Sequence, residues 1–412
     1  MDINNENLKF KINPKRWRYV LELYGFSDEA FLSLLNQNKK RKILTFEEYN
    51  QIIEQKKDIN IALLKKFDKI FEQGLTWYIS KRELPEKRNS SIFFRKDSFN
   101  SDLNFESKKL IESYEELKFE TQILCKQIGF QSKKILDEFS ISDDPKNIAK
   151  KIRERFDDVE KNLIEKKIIK KASNDREYLQ NLIRIIEQFN VFVFEFVDRK
   201  RKSEISFSGF FMLPNIIVIR RQQKYLRREI FTLLHEFAHY LLNIEEIDDN
   251  IESNTFENQS KVEKWCNNFT YEFLVRGFEQ DFSKLKYASV ENDFYKDEIN
   301  HLIANTFLSE FALYTRLKIE NKISKIDYDE IKEDIIRNIR RKDEEQKIIM
   351  ARKKEKAKEL GKKFIMRGPK EIRSNLFEEI VKINYFEGNI KENKLREYLK
   401  IKPNKSIEEV IY

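Results

Sequence analysis

The chain has 412 residues, of which 40% are hydrophobic and 37% charged, with 34 Phe, 16 Tyr and only 8 Gly and 6 Pro; that excludes overall disorder and predicts a helix-rich protein of two to four domains. A formal net charge of +9 and a pI near 9.0 permit a nucleic acid or an acidic protein as partner without requiring either. Two cysteines, Cys125 and Cys266, are too few for a disulfide framework or a Cys-based zinc site, the first residues carry no signal pattern, and no apolar run reaches the roughly 18 residues of a membrane span, so a reducing cytoplasm is expected.

In chain order, Pro14 to Ile79 reads as several short helices. Trp17, Val20, Leu21 and Leu23 form a stripe ending at Gly25, Ser27-Asp28-Glu29 caps the next helix, and Phe46 to Glu54 and Ile59 to Tyr78 supply further amphipathic helices. Glu83 to Ser101 is polar and reads as a linker; Leu103 to Phe189 is helical again, with starts at Asp143-Asp144-Pro145 and Asn174-Asp175. The texture changes at Asn190. Val191 to Val197 is β-branched and aromatic, and further strands are expected at Ile205 to Met212 and Ile216 to Ile219, the one clear sheet in the chain. Helix returns over Glu229 to Leu242 and Lys261 to Leu274, and the chain beyond Asp293 is helical and charged. The resulting division is 1–82, a helix-turn-helix-like helical module; 83–190, linker and helices; 191–292, the segment that holds the sheet; and 293–412, a charged helical region.

His235-Glu236-Phe237-Ala238-His239 is an HExxH motif flanked by Ile230, Phe231, Leu233, Leu234, Tyr240, Leu241 and Leu242, hence on a buried helix. Residues four apart share a helix face, so both imidazoles reach one metal ion, and Glu236 stands next to them as a general base for water. The chain has three histidines, which makes a chance match at this spacing rare. A third protein ligand is required. Candidates are Glu263, on a helix with Trp265, Cys266, Phe269 and Phe273; His301; and the loop acids Glu245, Glu246, Asp248, Asp249, Glu252 and Glu257. Tyr240, Tyr271 and His301 are candidates for the oxyanion, each more easily read as structural; Asn267 is either a hydrogen-bond partner of a ligand or a local cap; Cys266 reads as a small core residue.

Arg227 through Leu242, together with Val262-Glu263-Lys264-Trp265-Cys266-Asn267-Asn268-Phe269, resembles the ImmA/IrrE metallopeptidases, in particular the long members with an N-terminal Xre-type helix-turn-helix. Weaker similarity covers Asn13 to Tyr78, Asp175 to Val193 and Leu360 to Ile411. The resemblance implies an α+β, predominantly helical fold with a small β-sheet on the HExxH helix, zincin-like, flanked by helical domains. It also implies Glu263 as third ligand, Zn2+ as cofactor, and site-specific cleavage of a regulatory protein, a repressor or antitoxin, in a stress or mobile-element response. Where such N-terminal modules often carry Trp-Glu-x-Gly, this chain has Ile53-Glu54-Gln55-Lys56. The expected function is therefore a zinc endopeptidase with metal ligands His235, His239 and Glu263 and catalytic Glu236. The rival reading is a DNA-binding regulator that uses the peptidase-like domain as a sensor or partner-binding surface.

Overall fold

A computed structural model describes residues 8–37, 42–83, 105–197, 205, 207–221, 225–246, 260–361, 364 and 374–411. The polar segment 83–101 lies outside them from residue 84 onward, as do Asp248, Asp249, Glu252 and Glu257. The chain divides into two units, Met1–Leu117 with Glu204–Ser206, and Lys118–Ser203 with Phe207–Tyr412.

The first unit begins with β1 (Lys9–Phe10) and α1 (Pro14–Tyr24), followed by α2 (Asp28–Asn36), α3 (Phe46–Ile53), β2 (Ile59–Asn60), α4 (Ile61–Phe71) and α5 (Leu75–Ile79). Short polar side chains start these helices: Asn13 accepts from the amides of Lys15 and Arg16, Ser27 from Ala30, and Thr45 and Glu48 close a capping box. Buried Trp17 anchors the core, donating its indole N–H to the Tyr49 hydroxyl at 2.6 Å and touching Phe31, Phe67 and Phe71. Two expectations are corrected here. β1 and β2 pair antiparallel, Lys9 opposite Asn60 and Phe10 opposite Ile59, so the chain has a second sheet. The helix expected over Ile59 to Tyr78 is broken at Gly74, whose φ of 86° is open to glycine at little cost. The helix α6 (Phe105–Gln127) divides its residues between the units.

The second unit contains α7 (Pro145–Glu165), α8 (Asp175–Glu187), β3 (Phe192–Val197), β4 (Gly209–Met212), β5 (Ile216–Arg221), α9 (Leu226–Leu242), α10 (Lys261–Leu274), α11 (Glu279–Lys284), α12 (Lys296–Asn305), α13 (Glu310–Ile319), α14 (Lys325–Glu359), α15 (Asn375–Phe386), α16 (Glu392–Tyr398) and α17 (Glu408–Ile411). The sheet order is β3-β5-β4, with β3 parallel and β4 antiparallel to β5. The strand expected from Ile205 begins only at Gly209, with the Ser208 carbonyl just before it accepting from the Arg220 amide at 2.8 Å. All residues of β4 and all but Arg220 of β5 are buried. Consistent with two covered faces, these strands are near-continuously apolar. The exception is a buried ion pair: Arg221 Nη1 donates to Glu195 Oε1 and Oε2 at 2.7 and 2.8 Å, binding β5 to β3. Helix α9 packs on β4 and β5, with α8, α10 and α7 adjoining; Phe156 of α7 meets Phe189, Phe237 and Phe273. This is an α+β, predominantly helical fold with a small sheet on the motif-bearing helix. No helix among the described residues is long and apolar enough to cross a membrane.

Candidate metal centre

Helix α9 carries the HExxH motif, and its residues from Leu233 to Leu242 are all buried. Both ends are tied down. Arg227 bonds Asp175 Oδ2 at 3.0 Å and the carbonyls of Ile303 and Leu308 at 2.6 and 2.8 Å. At the other end Asn243, in the left-handed region at φ 57°, returns its N–H to the His239 and Tyr240 carbonyls, and Lys134 Nζ donates to the Leu241 carbonyl at 2.8 Å. Such a cation satisfies a terminal carbonyl and complements the helix dipole; burial pushes this amine down to about 8.

Helix α10 brings up the carboxylate. Ser260 caps it, accepting from the Glu263 amide at 3.1 Å, so Glu263 stands in the first turn. Trp265 donates its indole N–H to the Asp143 carbonyl at 2.8 Å. Arg316 of α13 bonds Asn268 Oδ1 at 2.7 Å and lies 4.4 Å from the Tyr271 ring centroid. These contacts fix α10 in rotation and along its axis.

The structure brings His235, His239 and Glu263 together. His235 Nε2 is 3.0 Å from Glu263 Oε2, His239 Nε2 is 3.1 Å from Glu263 Oε1, and the two Nε2 atoms are 3.2 Å apart. All three side chains are buried. Four ligands at zinc's usual bond lengths are separated by about 3.3 Å, so this near-equilateral triangle matches one face of a tetrahedral site. His235 Nδ1 donates to Asn267 Oδ1 at 3.0 Å, which fixes the tautomer and leaves the Nε2 lone pair directed at the centre. Burial alone would push the Glu263 carboxyl up, but the two imidazoles facing it hold it well below the usual carboxylate range. Neither Glu263 oxygen has a well-formed hydrogen bond among the described residues. Converging, desolvated N, N and O donors are costly unless a cation joins them, and the set suits zinc.

Glu236 follows His235 and is buried. A glycine that sequence reasoning passed over stands against it. A Cβ built on Gly209 would lie 2.7 Å from Thr232 Cγ2, 3.0 Å from the Val218 carbonyl oxygen and 3.2 Å from Glu236 Cγ, so β4 reaches α9 this closely only because residue 209 has no side chain. The other candidates are placed elsewhere or in structural roles. Tyr240 donates to the Phe189 carbonyl at 3.4 Å. Tyr271 packs under Arg316, and His301 lies exposed on α12. Glu245 accepts from the Leu213 amide at 2.6 Å, and Glu246 accepts from the Ser260 hydroxyl at 3.1 Å. Cys266 is fully buried, with its thiol pushed up by that burial and by Glu263 and Glu236 nearby.

A small mixed sheet packed on a helix with two histidines four residues apart, and a glutamate supplied by the next helix, defines a zincin-like peptidase domain. Residues 186–318 match the model of the IrrE N-terminal-like domain, Peptidase_M78. The match supports a metallopeptidase of the ImmA/IrrE type acting on a protein substrate, and implies a metal, usually zinc. No curated protein and no solved structure matches the chain.

Proposed function

We propose that the chain is a zinc-dependent endopeptidase in which His235, His239 and Glu263 hold the metal and Glu236 is the general base, cleaving one regulatory protein of repressor or antitoxin type. The substrate class follows from the resemblance of Arg227 to Leu242 and Val262 to Phe269 to ImmA/IrrE peptidases. The observation that carries the chemistry is the buried triangle of two Nε2 atoms and a carboxylate with sides of 3.0 to 3.2 Å.

Zinc held by this set supplies Lewis acidity, polarising a scissile carbonyl and acidifying water near neutral pH. The chain does the rest. Glu236 takes the proton of the attacking water and hands it to the departing amine. Asn267 keeps His235 oriented, and Leu233, Leu234, Phe237, Ala238 and Leu241, all buried, keep bulk water from the helix face.

The test pairs zinc content with cleavage of the natural partner, found by using Glu236→Gln as a substrate trap. Wild type should carry about one zinc per chain and His239→Ala should lose it. Glu236→Gln should keep zinc and substrate while cleavage falls by about 10²-fold or more. Normal zinc with undiminished cleavage in Glu236→Gln would remove Glu236 as the base; absence of zinc uptake by wild type would remove the whole reading.

A further inference from the structure

The two helices that carry the metal ligands are each tied by an arginine to the hairpin of α12 and α13. Arg227 stands in the first turn of α9, where a cation opposes the helix dipole. Its guanidinium turns away from that helix, and Nη1 donates to the Ile303 and Leu308 carbonyls at 2.6 and 2.8 Å. Ile303 lies in the last turn of α12, where carbonyls lack a helical donor, and Leu308 in the turn before α13. That turn is itself pinned. Buried Thr306 donates its hydroxyl to the Leu302 carbonyl at 2.7 Å and accepts from the Leu308 amide at 3.3 Å, and Ser309 caps α13. Tyr314 of α13 donates to the Phe294 carbonyl just ahead of α12 at 3.1 Å, which closes the other end of the hairpin.

Arg316 reaches from α13 to the second ligand helix. Its Nη1 donates to Asn268 Oδ1 at 2.7 Å and its Nη2 to Glu272 Oε1 at 3.3 Å, while Glu320 accepts from Nε at 2.8 Å and keeps the side chain in place. Asn268 and Glu272 are four residues apart and share one face of α10. Glu263 and Asn267, also four apart, share the face that meets the His235 ring from both sides, Glu263 Oε2 at 3.0 Å from Nε2 and Asn267 Oδ1 at 3.0 Å from Nδ1. The two faces are about 140° apart around the helix, so Arg316 opposes any roll of α10 that would carry Glu263 off the centre. A roll of about 10° moves a carboxylate about 6 Å from the axis by about 1 Å, whereas metal–ligand distances tolerate about 0.2 Å. We propose that Arg227 and Arg316 are positioning residues: joined through the α12–α13 hairpin, they set where α9 stands against α10, and thereby the affinity and coordination of the metal. The inference rests on the reading of His235, His239 and Glu263 as a metal centre. Both places call for arginine, because its planar fork serves several acceptors in one geometry and the single ammonium of lysine on its flexible stem does not.

The experiment measures metal binding by the full chain, well below its melting temperature. Zn2+ affinity is read by competition with a chelating dye, and coordination by the visible absorption of Co2+ loaded in its place, which is strong in a tetrahedral site and weak in an octahedral one. Arg227→Lys and Arg316→Lys should each weaken Zn2+ binding by about 10-fold or more and alter the Co2+ spectrum. Because both act through one hairpin, the double variant should lose less than the product of the two single losses. Asn268→Ala removes the acceptor of Arg316 from the α10 side and should reproduce the Arg316→Lys spectrum, which keeps the test in hand where an arginine variant fails to fold. The control is Arg396, which bonds the Lys402 and Lys405 carbonyls at 3.3 and 3.0 Å beside α16; Arg396→Gln should bind both ions as wild type does. Wild-type affinity and spectrum in the Arg227, Arg316 and Asn268 variants overturn the inference, as does an equal loss in Arg396→Gln, and single losses that multiply in the double variant overturn the shared hairpin. A wild type that takes up neither ion overturns the reading of the centre itself, a result distinct from unchanged variants of a wild type that binds metal.

Discussion

A single methyl group at residue 209 tests how closely the strand must approach the chemistry. Gly209→Ala would force Thr232, the Val218 carbonyl or β4 itself to move by some tenths of an ångström, next to Glu236. Overpacking of this kind typically costs about 1–3 kcal/mol of stability, while small misplacements near reacting groups can cost about 10²-fold in rate. If Glu236 is the base, the variant should fold, bind zinc as the wild type does and lose at least about 10-fold in cleavage; cleavage at the wild-type rate would mean that the reaction tolerates the strand's displacement. The contrast with the histidines explains what could be read beforehand. The pairing of His235 with His239 is legible because their proximity follows from helical spacing alone, whereas the residue pattern left Glu263, His301 and the loop acids open and only the family resemblance singled out Glu263. Gly209 acts through missing atoms against residues 9, 23 and 27 positions away, and no local pattern reports that.

Elements with long patterns were legible to within a few residues. Lys261–Leu274 begins and ends where the stripe of Trp265, Cys266, Phe269 and Phe273 predicts, and β3 and β5 follow from their β-branched and aromatic runs. Lys9–Phe10 and Ile59–Asn60 could not be found, since two residues carry no period and the pairing spans about fifty positions. The same holds for the junction of α8 with α15. Glu187, buried at the end of α8, accepts from Ser374 Oγ at 2.7 Å and Asn375 Nδ2 at 3.0 Å, capping the start of α15. Burial pushes its carboxyl up to about 7 against those donors. A carboxyl with a raised folded-state pKa binds its proton more tightly than the unfolded chain does, so its contribution is complete below about 4.5 and is lost as pH rises through about 7. Glu112, beside Tyr24, is raised to about 7 by burial and has the same sign. Melting temperature should thus fall between pH 5 and pH 7.5, and Glu187→Gln should flatten part of that slope. A slope unchanged in Glu187→Gln would assign it to other groups.

At the scale of the whole chain, the part matched to the peptidase family, residues 186–318, is smaller than the part that holds the candidate centre in place. Lys134 ends the motif helix, the Asp143 carbonyl receives Trp265, and Phe156 of α7 fills the space between Phe189, Phe237 and Phe273; all three lie before the matched segment. A fragment cut at residue 186 would bare the aromatic underside of α9 and α10 and orphan two hydrogen-bonding groups, at a cost of several kcal/mol against the usual 5–15 kcal/mol of a domain. Expressed alone it should aggregate or bind zinc weakly, whereas a fragment starting near residue 130 should remain monodisperse and take up the metal. A well-behaved 186–318 fragment would show the flanking helices to be dispensable. If they are not, a protease nick in residues 128–144, which form no helix and join α6 to α7, would silence the enzyme without touching any residue of its centre, and the chain between two helices becomes an off-switch written outside the catalytic domain.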